Sequence, residues 1–145
     1  MQAYALENLE KITVNGNIKG RYCFNDNPKL KDVKLPDTTD VIDVECFALC
    51  YSLEYFEFPK DVMYIERHAF LVCRSLKKIK LGSKLKKVSV SSFDNCPVEE
   101  VYYEGTLEEW KSILFEDEYA NPLHAGGKLY INNELVTDPS VYPYI

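Results

Sequence analysis

Apolar and polar positions along this chain fall into a phrase that returns. NLEKITV, KLKDVKL, SLEYFEF and SLKKIKL each place apolar residues first at one site, then three and five positions later: Leu9-Ile12-Val14, Leu30-Val33-Leu35, Leu53-Phe56-Phe58 and Leu76-Ile79-Leu81. The last two of each trio alternate with polar residues, as in a short strand buried on one face. Pro36, Pro59 and Gly82 then end the strand. A second apolar cluster follows, Val62, Ile65 and Phe70 in one unit and Leu85, Val88 and Phe93 in the next. Phe24, Phe47, Phe70 and Phe93 are each 23 residues apart, and so are Asn27, Cys50, Cys73 and Cys96. The first unit is two residues short, at its Asn15-Gly16 turn, and a fifth phrase opens at Val98 with VEEVYYEG. One such unit cannot bury its own apolar face. Stacked units make a continuous core.

A period in the range of about 20–29 residues with a Leu-x-x-Ile-x-Leu core is the signature of a leucine-rich repeat. The prediction is an α/β repeat solenoid with a parallel sheet of four to five strands. Units ending in AF-x-x-C-x-x-L, as in AFLVCRSL and, with Cys46 for the Ala, CFALCYSL, resemble the BspA-type leucine-rich repeats of bacterial surface and secreted proteins. The resemblance covers residues 8–96 and extends into VEEVYYEGTLEEWKSI and KLYINNELV, which are similar to the insert such proteins place between repeat blocks. It implies a protein-binding or adhesion module without catalytic activity.

The organisation expected is a stack over 1–104, about four units starting in mid-repeat with Ala3 to Leu6 where Phe70 to Cys73 falls. An acidic cap over 105–145 forms one structural domain with it. Thr106 and Glu109 make a capping box that opens a helix over about 107–114, with Leu107, Trp110, Ile113 and Leu114 on one apolar face. Trp110 is expected to pack near Val101 and Tyr103, and KLYI-NN-ELVT predicts a hairpin over about 128–137 with its turn at Asn132-Asn133. PSVYPYI resembles the opening of a further repeat. The N-terminal strand has no evident cap, so self-association through that edge is an expectation.

Charge adds a surface to this picture. In a parallel stack, equivalent residues become neighbours, and the row Glu10, Lys31, Glu54, Lys77, Glu99 alternates in sign. The rows Lys11, Asp32, Tyr55, Lys78, Glu100 and Thr13, Lys34, Glu57, Lys80, Tyr102 run beside it. The expectation is a ladder of cross-strand ion pairs. RSLKKIKLGSKLKK, with seven basic and no acidic side chains, is largely absorbed by that ladder and carries no nucleic-acid motif, so direct nucleic-acid binding is not expected. Residues 1–96 carry 15 basic and 13 acidic side chains, and residues 97–145 carry 2 and 10. The acidic end, Glu99, Glu100, Glu104, Glu108, Glu109, Glu116, Asp117 and Glu118, is interleaved with Tyr102, Tyr103, Trp110, Phe115 and Tyr119. Glu99, Glu100, Tyr102, Glu104, Glu108, Glu109, Glu116, Asp117 and Glu118, with Tyr55 and Glu57 on the sheet, are the candidate protein-binding residues.

Candidate chemistry is sparse. Cys23, Cys46, Cys50, Cys73 and Cys96 show no metal-ligand spacing and read as a buried, reduced thiol ladder. A Cys–His nucleophile would need Cys46 or Cys73 exposed beside His68, and the register turns both inward. AGGK at 125–128 is too short for a phosphate loop. No catalytic, cofactor or metal constellation is expected. No apolar run reaches the roughly 18 residues of a membrane span. MQAYALENLEK has no signal-peptide pattern, which reads as cytoplasmic for the chain as it stands and extracellular for a piece of a surface protein. Two functional readings stay open. One is a binding or scaffold module using the sheet face or the acidic aromatic cap. The other is a small phage- or mobile-element-encoded inhibitor that docks the cap on a basic, nucleic-acid-handling enzyme.

Overall fold

A computed structural model of the chain describes residues 8–16 and 20–143. Its strands run in chain order: β1 (Lys11–Thr13), β2 (Asp32–Lys34), β3 (Val41–Ile42), β4 (Tyr55–Glu57), β5 (Tyr64–Ile65), β6 (Lys78–Leu81), β7 (Lys87–Val88), β8 (Glu100–Tyr103), β9 (Leu114–Phe115), β10 (Lys128–Ile131) and β11 (Glu134–Leu135). Helix α1 (Leu107–Ser112) lies between β8 and β9. Three sheets result, β1-β2, the five-stranded β11-β10-β8-β6-β4, and the four-stranded β3-β5-β7-β9. The chain therefore winds as a solenoid. The three middle rungs, β2–β3, β4–β5 and β6–β7, each lay one strand on the first face, turn a corner, lay a two-residue strand on the second face, and return through a tight turn carrying the repeated Phe.

The register follows the repeat period. Tyr55 pairs with Lys78 and Tyr64 with Lys87, equivalent positions of successive units. The second apolar cluster is thus itself a strand: Ile42, Ile65 and Val88 point into the core from β3, β5 and β7. In the sequence it shows only as a second apolar cluster, because two residues are too few to show alternation.

The core is a spine of rings and sulfurs. Phe24, Phe47, Phe70 and Phe93 stack at 5.4, 5.4 and 5.5 Å between centroids and are at most 1% exposed. Each fully buried ring contributes roughly 1.5–3 kcal/mol of transfer free energy. Behind the rings, a side-chain donor of the next rung satisfies each Phe carbonyl. Cys50 Sγ donates to Phe24 O at 3.4 Å, Cys73 to Phe47 O at 3.1 Å and Cys96 to Phe70 O at 2.9 Å. At Phe93 the position passes to His124, whose Nε2 lies 2.8 Å from the carbonyl. A carbonyl only accepts, so Nε2 carries the proton. The five cysteines are free and buried, as the thiol-ladder reading expects.

The tight turns are strained. Tyr22, Glu45, His68 and Ser91, two residues before each Phe, have φ of 61°, 54°, 57° and 53°. Asp26, Leu49, Val72 and Asn95, two residues after it, have φ of 57°, 63°, 58° and 60°. The left-handed conformation aims their N–H groups at the next rung: Glu45 N–H meets Arg67 O at 3.2 Å, Leu49 N–H meets Leu71 O at 2.8 Å and Val72 N–H meets Asp94 O at 2.8 Å. Inter-rung bonding offsets a cost that is roughly 1–2 kcal/mol per L-residue.

The C-terminal end departs from expectation in its detail. Helix α1 stops at Ser112 rather than near residue 114. The Thr106–Glu109 capping box forms on both sides, and Trp110 packs edge-on to Tyr103 at 5.3 Å. Leu114 does not join the helix's apolar face. It belongs to β9 and is 57% exposed, because Leu114 and Phe115 pair with Lys87 and Val88 of β7 and so continue the second sheet. The hairpin turns at Asn132 and Asn133, with φ of 52° and 61°, and β10 also pairs in parallel with β8. That close approach explains AGGK: a Cβ on Gly127 would lie 2.5 Å from Val98 O. The described part of PSVYPYI, residues 139–143, folds back instead of opening a new rung, and Tyr142 donates its hydroxyl to Val136 O at 2.6 Å. The expected match of Ala3 to Leu6 with Phe70 to Cys73 lies outside the described residues.

Val72 is β-branched in a conformation that Asn95 and Asp26 occupy at equivalent sites. Val72→Asn is expected to raise stability by about 1 kcal/mol, read as a higher urea midpoint. His124→Ala leaves the last Phe carbonyl with only the Cys96 N–H, 3.0 Å away, and is expected to cost about 1 kcal/mol, read the same way.

Candidate functional site

The first sheet presents its polar face as two rows. In one, Tyr55, Lys78, Glu100 and Lys128 are register neighbours on β4, β6, β8 and β10. In the other, Glu57, Lys80, Tyr102 and Tyr130 are neighbours. Tyr102 and Tyr130 stack at 4.9 Å with 14° between ring planes. Lys78 Nζ lies 4.7 Å from the Tyr102 ring and 5.6 Å from Tyr55, joining them by cation–π contact. Tyr55 donates its hydroxyl to Glu57 at 3.0 Å and Tyr102 donates to Glu100 at 3.2 Å. Burial, with Glu57 as the second cause, pushes the Tyr55 hydroxyl up to about 12. Both rings therefore stay neutral donors, held upright on strands that cannot shift singly.

The expected ion-pair ladder forms in part. Lys77 meets Glu99 at 3.4 Å, and Lys80 meets Glu104 at 2.9 Å and Glu57 at 3.8 Å. No rung of it forms between β1 and β2 among the described residues, where Lys11 and Asp32 are only register neighbours, and none between β2 and β4. The latter two strands do not pair, and neither Lys31–Glu54 nor Lys34–Glu57 forms an ion pair among the described residues. Phe58 N–H bonds Lys80 O and Val14 N–H bonds Lys34 O, but Leu35 N–H has no such bond to Glu57. The second face stays continuous here through β3–β5. The result is a wedge-shaped cleft of about 540 Å³ on the sheet side alone. Val33, at its floor, is only half-buried where the equivalent Ile12, Phe56, Ile79 and Val101 are at most 9% exposed. Bulk lies beside the wedge: Phe56 of β4 and Phe58 just after it crowd each other at 4.7 Å and reach the Phe70 ring at 4.9 and 5.3 Å.

The remaining acidic candidates are distributed along the chain's path rather than gathered with Tyr55, Glu57, Glu99, Glu100, Tyr102 and Glu104 on the sheet side. Glu108 and Glu109 lie in the first turn of α1, where Glu109 accepts from Thr106 N–H. Glu116 follows β9 and meets Lys87 of β7 at 3.7 Å. Asp117 accepts from Ser91 N–H, the Ser91 hydroxyl and Ala120 N–H. Glu118 starts the 3-10 turn that Asp117 caps. Tyr130 was not among the candidates. Its strand lies off the repeat period, and the only sequence signal was the alternation of KLYI.

The thiols lie in the spine. Burial raises the Cys50 thiol to about 12, while the hydrogen bond with Cys46 lowers Cys23 to about 7. Cys46 and Cys73 are buried, and His68 instead faces Glu45 at 3.7 Å. Among the described residues no group of three or more His, Cys, Asp or Glu is placed to hold a metal, and no helix is long and apolar enough to cross a membrane.

Rungs of this period with a parallel face, a ring spine and thiol-bonded turns define a leucine-rich-repeat solenoid. The chain belongs to the BspA type leucine rich repeat family, whose repeat matches residues 1–121 in six copies. Three solved structures are similar in fold. A leucine rich cell surface protein from Faecalibacterium prausnitzii gives a TM-score of 0.66 at 20% identity over 76% of this chain and 36% of that one. A leucine-rich repeat protein from Bacteroides ovatus gives 0.61 at 20% over 64% and 25%. The pneumococcal vaccine antigen PcpA gives 0.60 at 21% over 87% and 31%. The chain thus spans about a quarter to a third of their lengths. No curated protein matches. The repeat family supports a protein-interaction or scaffold role.

Asp117 ties one rung's turn to the next. Burial alone would raise its carboxyl, but the bonds from Ser91 and Ala120 outweigh it and the net is a lowered value. The stability it contributes is complete above the unfolded-state value of about pH 4 and is lost as pH falls through the lower folded value. Asp117→Asn is expected to lower the urea midpoint at pH 7 and to leave a shallower fall of that midpoint towards pH 3.

Proposed function

We propose that the chain binds a protein partner through the sheet face of β4, β6, β8 and β10. The observation that carries this reading is the cluster of Tyr55, Tyr102 and Tyr130 across two neighbouring rows, joined through Lys78 and the Tyr102–Tyr130 stack and available at the surface. Tyrosine gives large contact area at low entropic cost, and interface hot spots favour it. The paired charges around the rings, Lys80 with Glu57 and Glu104, suit a mixed-polarity rim. A cell-surface setting is part of this reading, supported by the F. prausnitzii protein being described as a cell surface protein.

The acidic residues 108, 116 and 118 offer a second surface, and a partner docked there would fit the inhibitor reading. A photo-crosslinking amino acid placed singly at Tyr55, Tyr130, Glu108 or Glu118 separates the two. Exposed to the source organism's proteins and to those of its host, the Tyr55 and Tyr130 variants are expected to capture one shared partner. Capture of a partner by the 108 and 118 variants alone would overturn the sheet-face assignment.

A further inference from the structure

The cleft between β2 and β4 is a break in a sheet that the rest of the molecule is built to continue. It rests on the sheet-face reading above and narrows the partner. Three properties of the cleft bear on its occupant. Its floor offers apolar surface chiefly from half-buried Val33, beside the buried Leu35 and Phe58. Its walls are strand edges that do not pair with each other, so main-chain donors and acceptors face the opening. On the β1–β2 wall, Lys11, Lys31 and Lys34 have no ion pair among the described residues. On the opposite wall, Glu57 and Glu104 are already held by Lys80. Asp32 and Asp37 are the rim acids outside that cluster, so the unengaged charge on the rim is cationic by one. This basic rim sits on a chain of net charge −6.

We propose that this cleft is the docking site for an extended, acidic peptide segment of a protein partner, one apolar side chain seated on Val33 and Phe58 and flanking carboxylates on Lys11 and Lys34. An apolar side chain matches half-buried Val33, and carboxylates match the lysines that have no ion pair. The guest does not become an added strand within the sheet. β2 and β4 still approach within 8 Å between Cα atoms, short of the roughly 10 Å that two strand spacings require. It runs along the mouth instead and sends one side chain in.

Two hexapeptide probes test this, one with a central Leu-Phe flanked by Glu and one with the same core flanked by Lys, titrated into the isotopically labelled chain at low ionic strength. The Glu probe is expected to shift the amide signals of Val33, Leu35, Tyr55 and Phe58 in a saturable way, and the Lys probe to shift none. Lys11→Glu and Lys34→Glu are each expected to weaken the Glu probe about fivefold, the upper end for one exposed ion pair. Val33→Trp, which fills the floor, is expected to abolish the shifts, with the spectrum elsewhere reporting that the fold is kept. No shifts with either probe, equal shifts with both, or shifts confined to Tyr102 and Tyr130 would overturn the cleft assignment. None of those outcomes touches the sheet-face reading, which stands or falls on the crosslinks at Tyr55 and Tyr130.

Discussion

Everything in this molecule depends on the bond between one turn and the next. The residues flanking each spine Phe adopt a left-handed backbone that few of them favour, and they do so because only then do their N–H groups reach the following rung. The Phe carbonyl between them is met by a thiol, or at the last turn by an imidazole. Remove the next rung and the strain has no return, so a rung folds only on its neighbour. The sheet is secondary to this. It breaks between β2 and β4 while the turns run through unbroken, with Glu45, Phe47 and Leu49 each donating to the following rung. Continuity therefore resides at the turn and variation is permitted on the face. That division makes a surface possible whose side chains answer to a partner rather than to the fold.

Much of this was legible in the sequence, for a physical reason. A residue such as Phe70 that must stack on its equivalents in both directions cannot vary in spacing, so the 23-residue step was visible, and the thiol ladder with it. The strands β4 and β6 followed from alternation. The second face was hidden because its strands are two residues long, and β9 was read as the end of a helix because Leu114 happens to sit at helical spacing from Trp110 and Ile113. Pairing with Lys87 decides its conformation, and pairing is a long-range fact.

The site was less legible than the fold. Tyr55 and Tyr102 could be placed on the sheet face from their units, but Tyr130 arrives from outside the repeat through β10. The alternating charges suggested closure between β2 and β4, since Lys34 and Glu57 are complementary neighbours in register. What lies beside the gap is bulk: Phe56 and Phe58 crowd each other in the core. Charge patterning reports what could attract at the surface. It does not report what the interior has room for.

Helix α1 enters at the corner between the two faces, and the strands on both sides of it still find their partners in the preceding rung. A whole helix is admitted there without disturbing the winding. Corners of this solenoid are therefore where lengths can drift between relatives over evolutionary time, and where a designer could graft a foreign loop, while the faces and turns on either side keep their places.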